Sequence, residues 1–323
     1  METFIYTLYV SINYIVGVKM KRKIIQIANS TQLVSLPKKW CTKYGIMKGE
    51  EIEVRENGNS IVIHSDKGTL VDQIKVNVGD LTPRLVDRFL ARSYQKGYDK
   101  IVLGYKTEEQ LVAIREKVKE LLGFEILEVS NNECSIQSIS SKLDINFDTI
   151  LRKAFIVILD MADTCLKAYR GKDSEVLKNL YHKDFDANKF CYYCLRAINK
   201  EMSGVFGTYI LYYLVETLED VGDSYKALAT LLAEEEPNEV VFDLLKNVND
   251  VFRLGYEFFY NPQTKTTMDA MRIFTETKEK IEASFDTLSG KELRLVSKVD
   301  TILKLVYHYP TMRLDTLKEL KGE

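Results

Sequence analysis

Four carboxylates in one long segment have a spacing that could serve chemistry. The segment ETLEDVGD begins at Glu216. Counted from this residue as position i, Glu219, Asp220 and Asp223 stand at i+3, i+4 and i+7. On a helix this spacing places all four on one face, where carboxylates one turn apart can converge on a metal cation. The alternative is a solvated polar face, since amphipathic helices commonly have one and like charges at i, i+4 cost only roughly a few tenths of a kcal/mol.

The same segment carries an apolar seam. Its residues, at alternating spacings of four and three, are Leu214, Leu218, Val221, Tyr225 and Leu228. This pattern predicts a helix that faces a bundle. At about 100° per residue the four acids lie opposite the seam, so we expect them on an outward face.

A second segment, KELRLVSKVDTILKLVYHYP, tests whether the acidic pattern is repeated. Its seam consists of Leu295, Val299, Ile302 and Val306. Two alignments of this segment with the first are possible, and they place Asp300 opposite Glu219 or opposite Asp223. In either alignment only one of the four acidic positions is again occupied by an acid. The sequence therefore does not favour a second symmetrical metal cluster.

Cysteine and histidine give little sign of catalysis. The five cysteines are scattered, and Cys191 and Cys194 form a single CxxC that fits two core positions one helical turn apart better than a zinc site. We expect reduced thiols in a cytoplasmic protein. His64, His182 and His308 have no Cys, Ser or acid partner at an informative spacing, so the protein is not expected to be an enzyme.

Positive charge is concentrated near the N-terminus. From Lys19 to Lys48 there are eight Lys or Arg residues and no acid, although the whole chain has a net charge of −2. Nucleic-acid affinity in such a chain must come from a local patch of this kind. A solvated basic face that binds nothing is the alternative interpretation.

The elements that would position these residues fall into three regions. Residues 23–64 predict strand, strand, short helix, strand, strand, a unit so small that dimerisation is the simplest way to stabilise it. Residues 67–140 predict alternating strands and helices, with a helix start at Thr107 and a stop at Gly123. From Asp144 onward six helical segments are predicted, and Pro237 divides them into two sets of three. The predicted breaks between them are Gly171-Lys172-Asp173, Gly204, Glu236-Pro237, Asn261-Pro262 and Ser289-Gly290.

The leading segment contains a long uncharged run. Thr3 to Val18 is a run of sixteen uncharged residues, shorter than the about 20 that a spanning helix needs, and no basic region precedes it. Met20 followed by KRK is a more natural beginning. We expect residues 1–19 to be a disordered or mis-started extension, with no stable membrane insertion.

Residues 21–64 resemble an AbrB/SpoVT-type swapped-hairpin DNA-binding domain. The resemblance is carried by IANSTQLVSLPKKWCTKYGIMKGEEIEV, with Leu36, Pro37 and Lys38 at the helix start and Gly49-Glu50 before the last hairpin, while Ala28 stands where that family often has Gly. The resemblance implies a homodimer whose two chains form one cationic surface toward DNA. The implied DNA-binding residues are Lys21, Arg22, Lys23, Asn29, Ser30, Thr31, Lys38, Lys39 and Lys43.

Residues 145–310 resemble PhoU, the phosphate-uptake regulator, which has two three-helix bundles with E/D-xxx-D motifs that bind metal in some members. ETLEDVGD matches that motif through the overlapping pairs Glu216/Asp220 and Glu219/Asp223. The resemblance implies iron, zinc or magnesium at the acidic face and no other cofactor. An AbrB-like head followed by a PhoU-like tail is similar to archaeal PhoU-like transcriptional regulators.

These inferences define a multidomain α+β protein. The predicted parts are an extension (1–19), an AbrB-like DNA-binding and dimerisation domain (20–66), a small α/β domain (67–142) and a PhoU-like helical domain (143–323) with bundles at 143–236 and 237–310. The expected function is DNA-binding regulation of phosphate uptake, with a tail that senses or docks. The alternative is an adaptor that regulates a phosphate ABC transporter by contacting its ATPase or a signalling protein, with the head serving dimerisation alone.

Overall fold

The computed structural model describes residues 20–27, 31–57, 60–64, 72–139, 146–202, 207–288 and 290–315. The chain divides into two compact units, Met1–Leu70 and Val71–Glu323. The first contains short strands and one short helix, and the second contains a four-stranded sheet followed by a long helical region. The protein is therefore a mixed α+β protein, as the sequence predicts.

The first unit consists of two hairpins on either side of a helix. Its elements are β1 (Ile24–Ile27), β2 (Thr31–Val34), α1 (Lys38–Lys43), β3 (Glu53–Asn57) and β4 (Ser60–His64). β1 pairs with β2 and β3 pairs with β4, both antiparallel, as separate two-stranded sheets. The predicted order of elements is confirmed. Gly45, with a φ of +63°, follows α1 and supplies the left-handed conformation that ends a helix.

The second unit begins with a two-layer α/β structure. Its elements are β5 (Gln73–Asn77), α2 (Pro83–Gln95), β6 (Lys100–Gly104), α3 (Glu108–Val118), β7 (Phe124–Ser130) and β8 (Glu133–Ser138). The strand order is β5-β6-β8-β7, in which β5 and β6 are parallel and the other pairs are antiparallel. The helix α2 makes the crossover that parallel strands require.

One face of this sheet builds the core of the α/β layer. Ile101, Leu103, Cys134 and Ile136 alternate along β6 and β8 and are fully buried with residues of α2 and α3. Thr107 begins α3 with a complete capping box, because its hydroxyl accepts from the Gln110 backbone N–H and the Gln110 side chain accepts from the Thr107 backbone N–H. The predicted start of this helix is confirmed.

The rest of the second unit is helical. Its helices are α4 (Phe147–Gly171), α5 (Ser174–Lys178), α6 (Tyr181–Glu201), α7 (Thr208–Leu232), α8 (Glu239–Tyr260), α9 (Thr264–Ser284), α10 (Lys291–Val306) and α11 (His308–Leu314). The predicted breaks at Pro237 and Pro262 fall between helices, and the break predicted at Gly171-Lys172-Asp173 begins with the last residue of α4. The short helices α5 and α11 were not separated from their neighbours by the sequence pattern. The predicted breaks at Gly204 and Ser289 lie outside the described residues.

A single hydrophobic core joins the helices on both sides of Pro237. Phe155 of α4, Leu214 of α7, Phe252 of α8 and Val299 of α10 are all fully buried in it. Every residue of the two predicted seams is also buried in this core, which confirms that both helices face a bundle. Within the described residues, no helix combines the length and apolar character that crossing a membrane requires.

Candidate nucleic-acid interface and acidic cluster

The predicted cations of the first unit lie on two elements. Lys21, Arg22 and Lys23 directly precede β1, and Lys38, Lys39 and Lys43 lie on α1; all six side chains are exposed. No ion pair joins any of them to another residue of the described part of the chain. Their charges therefore remain available to an anionic partner. Thr31 is the exposed first residue of β2, whereas Asn29 and Ser30 lie outside the described residues.

Three lysines and two aromatic residues lie on or directly after the helix α1. Lys38, Lys39 and Lys43 are exposed, while Trp40 and Tyr44 are half-buried and their ring centroids lie 5.6 Å apart. The Lys43 ammonium lies 5.1 Å from the Tyr44 ring centroid, in a cation–π contact. The short helix thus exposes its three lysines while the two rings are partly covered.

The first unit has no buried residue among those whose burial is described. Its β1–β2 hairpin exposes large aliphatic side chains, with Ile24 68% exposed and Ile25 57% exposed. Among the described residues, the other exposed large apolar side chains of the unit are Met20, Ile27, Leu33, Val34, Met47, Val54 and Ile61. Exposed apolar surface on so small a unit points to an interaction surface, because isolated two-stranded hairpins are at best marginally stable.

The four predicted metal ligands are not all on an outward face. Glu219 is only 8% exposed, and the hydroxyl of Tyr192 on α6 donates to its Oε1 at 3.3 Å. Glu216 is paired with Arg92 of α2, whose Nη2 lies 3.1 Å from Glu216 Oε2. The outward placement predicted for Glu219 is wrong, because residues of α2 and α6 cover this part of α7, which helical periodicity alone cannot reveal.

Burial shapes the electrostatics of this acidic cluster. It is the main reason why the pKa of Glu219 rises to about 7, and the neighbouring Asp223 and Asp220 carboxylates add to the effect while Arg88 opposes it. Burial likewise raises the pKa of Asp220, with Glu216 and Asp223 adding to it. Negative charge is therefore costly here unless a cation or a proton offsets it.

Two residues of α6 extend the cluster beyond the predicted set. Asp184 accepts from Lys226 Nζ at 2.6 Å through Oδ2, and Lys226 also pairs with Asp223. Asp184 Oδ1 and Asn188 Oδ1 are buried and receive no hydrogen bond from the part of the chain that the structure describes. These two acceptors lie one turn apart on α6 and were missed by the sequence reasoning, although their i, i+4 spacing was visible in DFDAN.

The contacts bear on whether a metal ion fits the cluster. Glu216, Glu219 and Asp223 already engage Arg92, Tyr192 and Lys226 respectively. Within the described residues no group of three or more His, Cys, Asp or Glu side chains is arranged to hold a metal. The arrangement thus favours side-chain counter-ions over a bound cation, and metal binding by Glu216, Glu219, Asp220 and Asp223 stays a prediction.

The acidic cluster adjoins a polar joint between the α/β layer and the helical region. Arg196 of α6 is 7% exposed; its Nη1 donates to the Tyr94 and Tyr98 carbonyls at 2.9 and 2.8 Å, and its Nη2 donates to Asp99 Oδ1 at 2.6 Å. Its guanidinium also lies 4.8 Å from the Phe124 ring centroid. The Arg196 guanidinium thereby donates to one carbonyl in the last turn of α2 and to one just after this helix. No pattern in the sequence indicates this role.

The remaining candidate residues take structural positions. Cys191 and Cys194 are fully buried on α6 with free thiols, as expected, and burial raises the pKa of both. His182 is an exposed residue at the start of α6, and His308 begins α11. Tyr256 and Tyr260 pack around Phe155 at ring-centroid distances of 5.5 and 6.1 Å. The two tyrosines of YEFFY therefore pack against the hydrophobic core.

Comparison of the chain with family models, with curated proteins and with solved structures finds no match.

Proposed function

We propose that the protein is a dimeric DNA-binding transcriptional regulator of phosphate homeostasis. In this proposal the first unit is an AbrB-like swapped-hairpin head that binds DNA. The helical region is a PhoU-like tail that senses phosphate status or docks on a signalling protein. The observation that carries the proposal is the set of six exposed cations without ion pairs to described residues, in a stretch that contains no acid.

The basic head supports DNA as the partner. Exposed Lys and Arg side chains bind phosphate oxygens and release counterions from the duplex, and this supplies most of the sequence-independent affinity. Because the chain as a whole has a net charge of −2, its remaining surface does not attract DNA in a general way. Binding should therefore depend on the head.

The exposed apolar side chains support a homodimer. Residues Ile25, Ile27 and Leu33 are 57%, 53% and 44% exposed and belong to a unit without buried residues. A second copy of the head supplies an apolar surface of the same character, and interleaved hairpins would bury both. Dimerisation also doubles the number of cations that face one duplex.

The link to phosphate rests on the resemblance of residues 145–310 to PhoU. The acidic cluster lies against a buried joint with the α/β layer, so a change at the cluster can alter how that layer is held. Such coupling requires a ligand that distinguishes two states of the tail.

Chromatin occupancy of the full chain, mapped in its host with and without phosphate, tests this function. A regulator should occupy sites beside phosphate-uptake genes, and occupancy should change with phosphate. If the protein binds no such site but co-purifies with a phosphate-transporter ATPase, the adaptor function replaces the regulator function.

A further inference from the structure

The β1–β2 hairpin has two faces of different chemistry. Direct cross-strand partners share a face, and residues two apart on a strand share it too. The register pairs Ile25 with Leu33 and Ile27 with Thr31, which makes one face predominantly aliphatic. It pairs Ile24 with Val34 and Gln26 with Gln32, so the other face carries two glutamines beside two aliphatic residues.

The glutamine face is accessible and lies in a cationic setting. All eight residues of β1 and β2 are exposed. Arg22, two residues before the first residue of β1, is exposed as well. A side-chain amide bears no net charge, so Gln26 and Gln32 add nothing to attraction for phosphate. Each glutamine amide instead offers an NH2 donor and a carbonyl acceptor side by side on this surface.

These groups match one base in particular. A glutamine amide can accept from adenine N6 and donate to adenine N7 in the major groove, and aliphatic side chains contact the thymine methyl group. A two-stranded ribbon fits the roughly 12 Å wide major groove of B-form DNA, whereas the major groove of A-form RNA is too narrow and deep for side chains to read. The combination of amides and aliphatic groups therefore suits A·T pairs in DNA.

We infer that the face formed by Ile24, Gln26, Gln32 and Val34 reads A·T base pairs in the major groove, and this inference rests on the proposed DNA-binding function. The opposite face, with Ile25, Ile27 and Leu33, then belongs to the dimer interface. Residues two apart on a strand are separated by roughly 6.8 Å, about the rise of two base pairs. The aliphatic contacts to thymine should fall about two base pairs from the adenines that the glutamines read.

Selection of bound duplexes from a random library, with the full-length protein, tests the inference. The wild type should enrich adenine at fixed positions with thymine nearby. Gln26→Ala and Gln32→Ala should each lose preference at one position, with about 5- to 150-fold weaker binding to the selected site. Binding to unselected duplex should hardly change, because the phosphate contacts remain.

A variant that changes the base preference distinguishes loss of base recognition from loss of folding. Gln32→Arg should replace adenine by guanine at the affected position, since Arg pairs with guanine O6 and N7, and a misfolded head could not produce this switch. Gln263→Ala, at the start of α9, is the matched control and should leave the selected sequence unchanged.

Four outcomes are decisive. Wild-type DNA binding without base preference, or an unchanged preference in both glutamine variants, would overturn the inference and leave the proposed function intact. Enrichment of A and T interchangeably would indicate minor-groove contact and also overturn it. Absence of any DNA binding would remove the proposed function itself.

Discussion

The side chain of Arg196 joins the helix α6 to the α/β layer. It is buried and donates to two carbonyl groups and to Asp99, so Arg196→Met would remove these three hydrogen bonds, although Lys200 would still pair with Asp99. We expect the free energy of unfolding to fall by about 2–4 kcal/mol. Urea denaturation measures this. Arg272→Met, whose side chain is 58% exposed on α9, is the control and should cost no more than about 0.5 kcal/mol. A loss below about 1 kcal/mol for Arg196→Met would contradict the role.

Glu219 should make stability depend on pH. Its folded pKa of about 7 lies above the ordinary 4.5, so the folded state binds the proton more tightly than the unfolded state. The resulting stabilisation is complete below about pH 4.5 and is lost as the pH rises through about 7. The wild type should therefore lose more stability between about pH 5 and pH 8 than Glu219→Gln, which stays neutral.

Urea denaturation at both pH values, with a chelator present, provides the comparison for Glu219. Glu279→Gln on the exposed side of α9 serves as control and should follow the wild type. Equal pH dependence of the wild type and Glu219→Gln would show that Glu219 does not hold a proton in the folded protein.

At the scale of elements, a buried polar network links three helices. The hydroxyl of Tyr225 on α7 donates to Asn249 Oδ1 of α8 at 2.7 Å, and Asn249 Nδ2 donates to the Ala162 carbonyl of α4 at 2.8 Å. Asn249→Ala should lower the free energy of unfolding by about 2–4 kcal/mol, because buried partners lose their bonds. Asn247→Ala on the same helix should cost less than about 1 kcal/mol. Similar costs for both variants would contradict the importance of the network.

Local signals explain why most elements could be predicted from the sequence. The capping box at Thr107, the left-handed glycine after α1 and the seam from Leu214 to Leu228 each depend on residues close together in the chain. The burial of Glu219 could not be predicted in this way, since it results from α2 and α6 packing on α7. Arg196 was missed for the same reason: its acceptors lie about a hundred residues earlier.

The candidate site was only partly accessible to sequence reasoning. The cations of the head were found because an acid-free stretch is visible without any structure. The pairing of Gln26 with Gln32 became apparent only from the strand register, which decides which side chains share a face. Asp184 and Asn188 entered the acidic cluster only through the packing of α6 beside α7.

For the whole molecule, the proposal requires two chains. Leu33→Asp places a charge on the aliphatic face of the β1–β2 hairpin and should shift the full-length protein from dimer to monomer, since an unpaired charge is costly in an apolar interface. Sedimentation velocity measures the change. Gln32→Asp puts the same charge on the other face and should leave the dimer intact. A dimeric Leu33→Asp protein would contradict the proposed interface.

The most direct test of the central claim is the salt dependence of DNA binding by the full-length protein. For the wild type, the logarithm of the association constant should fall steeply with the logarithm of salt concentration, by about 0.9 per neutralised phosphate. Replacing Lys38 and Lys39 by alanine removes up to four contacts from a dimer and should reduce the slope by up to about 3.6. Alanine at the exposed Lys278 and Lys280 of α9 should leave it unchanged. A salt-independent affinity, or an unaltered slope in the Lys38/Lys39 variant, would contradict DNA binding by the head.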